Sequence, residues 1–323
     1  MSAVEIVKPE VPKLEVLKPG LLTTVQDLGR QGFGPMGVSP SGAADAMALR
    51  LGNQLVGNLE SAAGLEMTLL GGEFLFRESA VIALAGSDFG ATLDGMAVDI
   101  WTAVEVRAGQ TLRLGPTRSG ARCYLCIQGG VTVKPFLGSA STQLLSGLGG
   151  LEGRALRKGD LLHFGAAPPF LKKRTVAPRA LRLWSLRRVL RVTMGPQSDR
   201  FRETTRRLFF EGIYRVAESS NRMGLRLEGP SVASRAGGEM ITEGISLGAV
   251  QVPESGQPII SFVEQQTTGG YPVIANVISA DFSSVGQLRP RDEVRFERVE
   301  IDEARALLIE QEKLLASEDS ILG

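Results

Sequence analysis

Histidine and cysteine are nearly missing from this chain: its 323 residues hold one histidine, His163, and two cysteines, Cys123 and Cys126. So few soft ligands leave no metal site to be predicted, and a Ser-His-Asp arrangement would have a single base to draw on. That base stands between Leu162 and Phe164 in a stretch that reads as a strand, so it points away from both and is read as a structural or surface side chain. The cysteines fall in Ala121-Arg-Cys-Tyr-Leu-Cys-Ile, which is also strand-like. Their C-x-x-C spacing would suit a redox pair whose first thiolate sits at a helix N-terminus. On a strand, positions three apart face opposite sides, and buried inert thiols are predicted instead.

An excess of charge is missing too. The formal net charge is +1 and no basic stripe carries interleaved aromatics, so nucleic acid is excluded as a partner. Arginines do cluster, at Arg187, Arg188 and Arg191 and again at Arg200, Arg202, Arg206 and Arg207. They read as a solvated or salt-bridged face, with an anion or partner site as the other reading. No apolar run approaches the length of about 18 residues that spans a membrane, so no membrane partner is expected. The first twelve residues lack the apolar core of a signal peptide, and a cytoplasmic location is predicted. Neither a G-x-x-x-x-G-K-S/T loop nor a G-x-G-x-x-G between strand and helix is present. A nucleotide site would have to be unorthodox or shared with a partner.

What the chain does have is glycine, 39 residues of it, beside 16 prolines and an ordinary 43% of hydrophobic residues. Many tight turns imply many strands, and the length exceeds one usual hydrophobic core, so two domains are expected. Short strands are predicted at 14–17 and 21–25 around Pro19-Gly20. A helix is predicted over 43–55, with Met47, Leu51 and Leu55 on one face and Ser39 or Ser41 as its cap. From 65 to 164 short strands alternate with glycine turns; Leu65 and Met67 alternate with Glu66 and Thr68. A proline- and lysine-bearing linker covers 166–180. A helix at 199–210, strands over 214–296 and a helical end at 302–315 follow.

Leu156-Arg-Lys-Gly-Asp-Leu-Leu-His-Phe near the end of the first half matches Leu288-Arg-Pro-Arg-Asp-Glu-Val-Arg-Phe near the end of the second. Both read as a tight turn feeding the last strand of a closed sheet. The organisation is therefore a first β domain at 14–165, a linker at 166–180, a second β domain at 181–300 and a C-terminal helix within 301–323.

With metal, thiol and histidine chemistry set aside, polar clusters on turns remain. The first is Gln26-Asp27-Leu28-Gly29-Arg30. Its arginine fork could hold a carboxylate or phosphate, or Asp27 and Arg30 could pair and fix the loop. The second, Gly86-Ser87-Asp88, follows a buried apolar strand and reads as a turn. The third gathers Glu243, Gln251 and the run Glu264-Gln-Gln266-Thr267-Thr268-Gly-Gly-Tyr271-Pro. Consecutive polar residues ending in Gly-Gly are costly to bury unless something satisfies them. Glu264 could act as acid or base if its pKa were raised.

Thr24-Val-Gln-Asp-Leu-Gly-Arg-Gln-Gly-Phe-Gly, Gly37-Val-Ser-Pro-Ser-Gly-Ala-Ala-Asp and Ser261 to Pro272 with its Gln-Thr-Thr-Gly-Gly-Tyr-Pro carry a resemblance. In order along the chain, these blocks resemble the allophanate hydrolase subunit 2 family. That family includes the KipI antagonist KipA, the carboxyltransferase domain of urea carboxylase and the C component of bacterial 5-oxoprolinase. The resemblance implies a mainly β chain with a few helices, built as two cyclophilin-like β-barrel domains. It also implies a KipI-like, allophanate hydrolase subunit 1-type partner.

Three activities follow as expectations. One is the C component of an ATP-dependent 5-oxoprolinase working with a lactam-hydrolase A subunit, with ATP used at the level of the complex. Another is carboxyl transfer to urea or a related amide; no Met-Lys-Met biotin site is present, so carboxybiotin would come in trans. The third is a non-catalytic KipA-like antagonist. For the first, Asp27 and Glu264 are the catalytic candidates, and Arg30, Glu243, Gln251, Gln266, Thr267, Thr268 and Tyr271 the candidates for holding a small amide or lactam. Two positions depart from the family pattern: Glu264 where Asp is expected, and Arg291 where Gly would complete a Pro-Gly-Asp turn.

Overall fold

In a computed structural model, residues 13–165, 174–235 and 240–323 are described. Most of the predicted linker, 166–173, lies outside the described residues.

The first half is built from antiparallel strands in two sheets. Leu22–Gln26, Gly64–Thr68, Arg122–Ile127, Ala80–Gly86 and Ala103–Val106 are neighbours in a five-stranded sheet. Leu14–Lys18 lies in a seven-stranded sheet between Leu161–Phe164 and Glu73–Phe76. Alternate side chains of both sheets fill one shared core, with Leu14, Phe74 and Phe76 meeting Leu65, Met67 and Leu125.

The five-stranded sheet is covered on its other face as well. Ala83, Ala85, Tyr124 and Cys126 pack there against Ala48, Leu51 and Leu55 of the helix Ala46–Leu55. Gly52 permits the close approach, since a Cβ there would come within 2.6 Å of Cys126 Sγ. Cys123 belongs to the inner core and Cys126 to this outer layer. The two thiols therefore face opposite sides as expected, and burial pushes both of their pKa values up.

The helix begins later than predicted and on a different cap. Asp45 accepts from Ala48 N at 3.0 Å, whereas the hydroxyl of Ser39 donates to Val263 O and that of Ser41 to Thr142 O. Both serines are thus committed to contacts distant in sequence.

The second half closes into a seven-stranded barrel. Its order runs Val189–Met194, Val273–Val277, Ala249–Gln251, Ile259–Ser261, Gly224–Glu228, Tyr214–Val216 and Glu293–Arg298. The ring is closed by a parallel pairing that brings Val192 opposite Arg298. The helix Glu203–Glu211 lays Phe209 against Phe296, with ring centroids 4.5 Å apart. The chain as a whole is mainly β, with a closed barrel.

The repeated turn is the same object in both halves. Arg157 N donates to Asp160 at 2.7 Å and Arg289 N to Asp292 at 2.8 Å, each just before a strand. Gly159 at φ 88° and Arg291 at φ 73° occupy equivalent left-handed positions.

The C-terminal helix Ile301–Leu315 returns to the first half. Arg50 donates to both carboxylate oxygens of Glu312 at 2.7 Å, and Ile321–Leu322 pairs with Thr175–Val176.

Candidate functional site

The strand Gly64–Thr68 places Glu66 on its outer face, in register with Thr24 on one side and Tyr124 on the other. Alternation with Leu65 and Met67 predicts an outward polar residue, but Glu66 is 1% exposed. What covers it is the second half of the chain. Arg222 donates from Nη1 to Glu66, from Nε to Glu264 Oε1 at 2.5 Å and from Nη2 to Gly42 O at 2.6 Å. Glu66 also accepts from the Tyr124 hydroxyl at 2.7 Å and from Ala44 N at 2.8 Å. Burial pushes the Glu66 pKa up, but the charges of Arg222 and Arg122 and these two donors outweigh it and hold it low. Burial likewise works against the charge on Arg222, and Glu66 and Glu264 overcome it.

Beside this cluster, Gln287 reaches across from the second half. It donates to Asp45 and Arg122 O and accepts from Ser87 Oγ and Arg122 N. Ser87, read as a turn residue, is therefore also part of the junction. Burial raises the Asp45 pKa, opposed by donors from Gln287, Ala48, Trp184 and Ser283.

Asp27 and Arg30 lie at the same junction but do not bond to each other. Asp27 accepts from Gly29 N at 2.7 Å, Ser139 Oγ at 2.7 Å, Ala140 N at 2.6 Å and Ser141 Oγ at 2.5 Å. Arg30, 2% exposed, donates to Phe136 O and Ser141 O, and its guanidinium lies 5.5 Å from the Phe136 ring centroid. Burial pulls the Arg30 pKa down, with Asp27 and Glu264 drawing it partway back. Glu264 Oε2 accepts from Leu144 N at 3.2 Å. One segment, 136–144, thus holds all three candidates from the two halves, and every carboxylate oxygen of Asp27 and Glu264 already has a donor from the chain.

Gln265, the next residue, faces the other way. It lines a cleft of about 290 Å³ in the barrel together with Arg226, Gln251, Gln266, Tyr271 and Asn221. Gln251 and Gln266 are placed there as candidates, as is Tyr271, which is 41% exposed. Glu243, Thr267 and Thr268 are not in its wall. Thr268–Gly269 pairs with Glu243–Gly244 in a two-stranded ribbon, Glu243 accepts from Gln197 at 3.0 Å, and Thr267 O accepts from Ile245 N.

Sequence reasoning passed over Glu66, Arg222 and Gln287 at the junction and Arg226 in the cleft; Gln265 stood in the polar run it singled out but was not named as a candidate. The available signal for Glu66 was a lone carboxylate in a strand that also carries the apolar pattern of a buried one. Among the described residues no group of three or more His, Cys, Asp or Glu could hold a metal ion, and no helix is long and apolar enough to cross a membrane.

Two half-chains joined by a buried polar cluster, one of them a closed barrel with a polar cleft, define the class. Residues 36–298 match the family described as carboxyltransferase domain, subdomain A and B, and the chain belongs to that family. Among its relatives is the C subunit of the 5-oxoprolinase of Escherichia coli (strain K12), 39% identical over 295 residues that make up 90% of this chain and 93% of the relative. The urea amidolyase of Saccharomyces cerevisiae is 34% identical over 96% of this chain, which corresponds to 18% of that much longer protein. The crystal structure of the Kluyveromyces lactis urea carboxylase superposes on 99% of this chain with a TM-score of 0.88 at 33% identity, using 31% of that structure.

Proposed function

We propose that this chain is the C component of an ATP-dependent 5-oxoprolinase, which converts 5-oxo-L-proline, ATP and water into L-glutamate, ADP and phosphate. The observation that carries this reading is coverage in both directions: the C component of the Escherichia coli 5-oxoprolinase is matched over 93% of its own length, the yeast urea amidolyase over 18%. An unstrained lactam resists water, and phosphorylation of its carbonyl oxygen by ATP supplies a leaving group. Water then adds to the carbon and the C–N bond breaks with a proton delivered to nitrogen, leaving an acyl phosphate that a second water hydrolyses to the carboxylate and free phosphate.

In this reading the complex works in the cytoplasm, with ATP bound outside the motifs of this chain and with a KipI-like, allophanate hydrolase subunit 1-type partner and a lactam-hydrolase A subunit. Asp27, Arg30 and Glu264 have their polar atoms turned to segment 136–144 and Arg222, so their part is to position the junction. Gln251, Gln266 and Tyr271 line the barrel cleft, which supports a part for them in holding the small amide of this reading.

The test is 5-oxoproline-dependent ATP hydrolysis and glutamate release by this chain co-expressed with the A- and B-type subunits. Stoichiometric glutamate and phosphate are expected. No turnover with all subunits assembled would defeat the proposal.

A second reading, carboxyl transfer to an amide from biotin supplied in trans, is favoured by the fit to the urea carboxylase structure. Bicarbonate- and biotin-dependent turnover by the same complex would replace the first reading with this one.

A further inference from the structure

The barrel cleft holds two mismatched amide atoms of opposite kind. Gln251 Nε2 and Gln265 Oε1 are both shielded from water and have no hydrogen-bond partner among the described residues. The Gln265 amide is oriented by its own donation to Ile245 O at 3.1 Å, which makes Oε1 the end left over. An unmet buried donor or acceptor carries its full desolvation cost, so a donor and an acceptor left unmet in one cleft call for a ligand that offers the complementary pair. The last torsion of a glutamine is soft, and rotation turns either amide to a guest, for Gln265 at the expense of its bond to Ile245 O. Arg226, exposed on the cleft wall, adds a guanidinium that forms no ion pair among the described residues. Met223, Ile245 and Ile259 supply apolar wall.

We propose that this cleft binds a cyclic cis-amide bearing a carboxylate, with Gln251 donating to the ring carbonyl, Gln265 accepting from the ring N–H and Arg226 holding the carboxylate. Closing an amide into a five-membered ring puts its carbonyl and N–H on one edge, where a donor and an acceptor lining one cleft can meet both. A volume near 290 Å³ is at the small end of ligand sites and suits one ring with its water. The inference rests on the lactam-opening reading above for the identity of its ligand, 5-oxoproline. The ureido ring of biotin shares the amide edge but has no carboxylate beside it, and Arg226 separates the two.

The experiment measures binding of 5-oxoproline, 2-pyrrolidinone and 2-imidazolidinone to the full chain and to its reconstituted complex by calorimetry, together with KM and kcat of the complex. Arg226→Ala, at an exposed position, is expected to weaken 5-oxoproline about 10- to 100-fold, the range of a charge-assisted hydrogen bond, and to leave 2-pyrrolidinone unchanged. Gln265→Leu is expected to weaken both ligands about tenfold. In the complex the same changes fall on KM more than on kcat. Unaltered binding and KM in both variants would overturn the proposal, as would failure of the chain and complex alike to bind 5-oxoproline. Preference for 2-imidazolidinone that ignores Arg226 would overturn it in favour of the biotin ring. Turnover with KM indifferent to Arg226 removes the cleft and leaves the functional reading standing; Arg226-dependent binding without turnover does the reverse.

Discussion

Replacing Arg222 with methionine keeps the apolar stem and removes the one group that serves Glu66, Glu264 and Gly42 O together. Glu66 and Glu264 are 1% and 4% exposed, so water cannot take over. Breaking a buried ion pair by deleting one partner costs about 3–5 kcal/mol, and Arg122, 3.6 Å from Glu66, moderates the loss on that side only. With an unfolding entropy of about 2.1 cal/mol/K per residue over 323 residues, this corresponds to a melting temperature lowered by about 4–7 °C. Differential scanning calorimetry with near-ultraviolet circular dichroism of Trp101 and Trp184 reads it.

The pH dependence gives a stricter check. In the parent, Glu66 is held below its usual range, so its contribution is complete above the unfolded value of about 4.3 and is lost as pH falls through the folded value. Without Arg222, burial dominates and raises the Glu66 pKa, so the variant gains stability as protonation relieves it. Its deficit is therefore largest near neutrality and shrinks as pH falls toward about 5. A deficit under about 1 kcal/mol, or one that grows on acidification, would refute the reasoning.

Two further changes probe the junction and the repeated turn. Asp27→Asn sets an amide N–H against a donor, Ala140 N or one of the donors on the other oxygen, and is expected to cost about 1–3 kcal/mol and speed proteolysis within 136–150; unchanged cleavage and midpoint would count against it. Arg291→Gly relieves a left-handed side chain at φ 73° while losing only an exposed pair with Glu218, and is expected to stabilise by about 0.5–1 kcal/mol. A urea midpoint that moves down at constant m would show that the turn is not strained.

Local patterning made the turn–strand repeat and the 3.6-residue helix face legible, because the forces that fix them act within a few residues. Arg157 with Asp160, and Arg289 with Asp292, close their turns inside four positions. Asp27 and Arg30 show where that logic stops. Three residues apart, they read as natural partners, yet each is committed to the segment 136–141, more than a hundred residues away. Glu66 reads as outward and polar for the same reason: its strand is sealed by Arg222, and nothing near it in sequence records that cover.

The five-residue polar run Glu264 to Thr268 is the place where both levels meet. Its first two residues point to opposite sides, Glu264 into the ion cluster between the halves and Gln265 into the barrel cleft. Backbone bonds fix that divergence, since Glu264 N donates to Arg222 O at 2.8 Å and Gln265 N to Phe262 O at 2.8 Å. Arg222 grips Glu264 twice, through its carbonyl and its guanidinium, and through the latter it is bound to Glu66 of the other half. The place of Gln265 in the cleft wall is therefore set by a residue whose own position is set by the junction. A polar run too costly for either core is tolerated because one side of it ties the halves together, and that tie is what aims the other side.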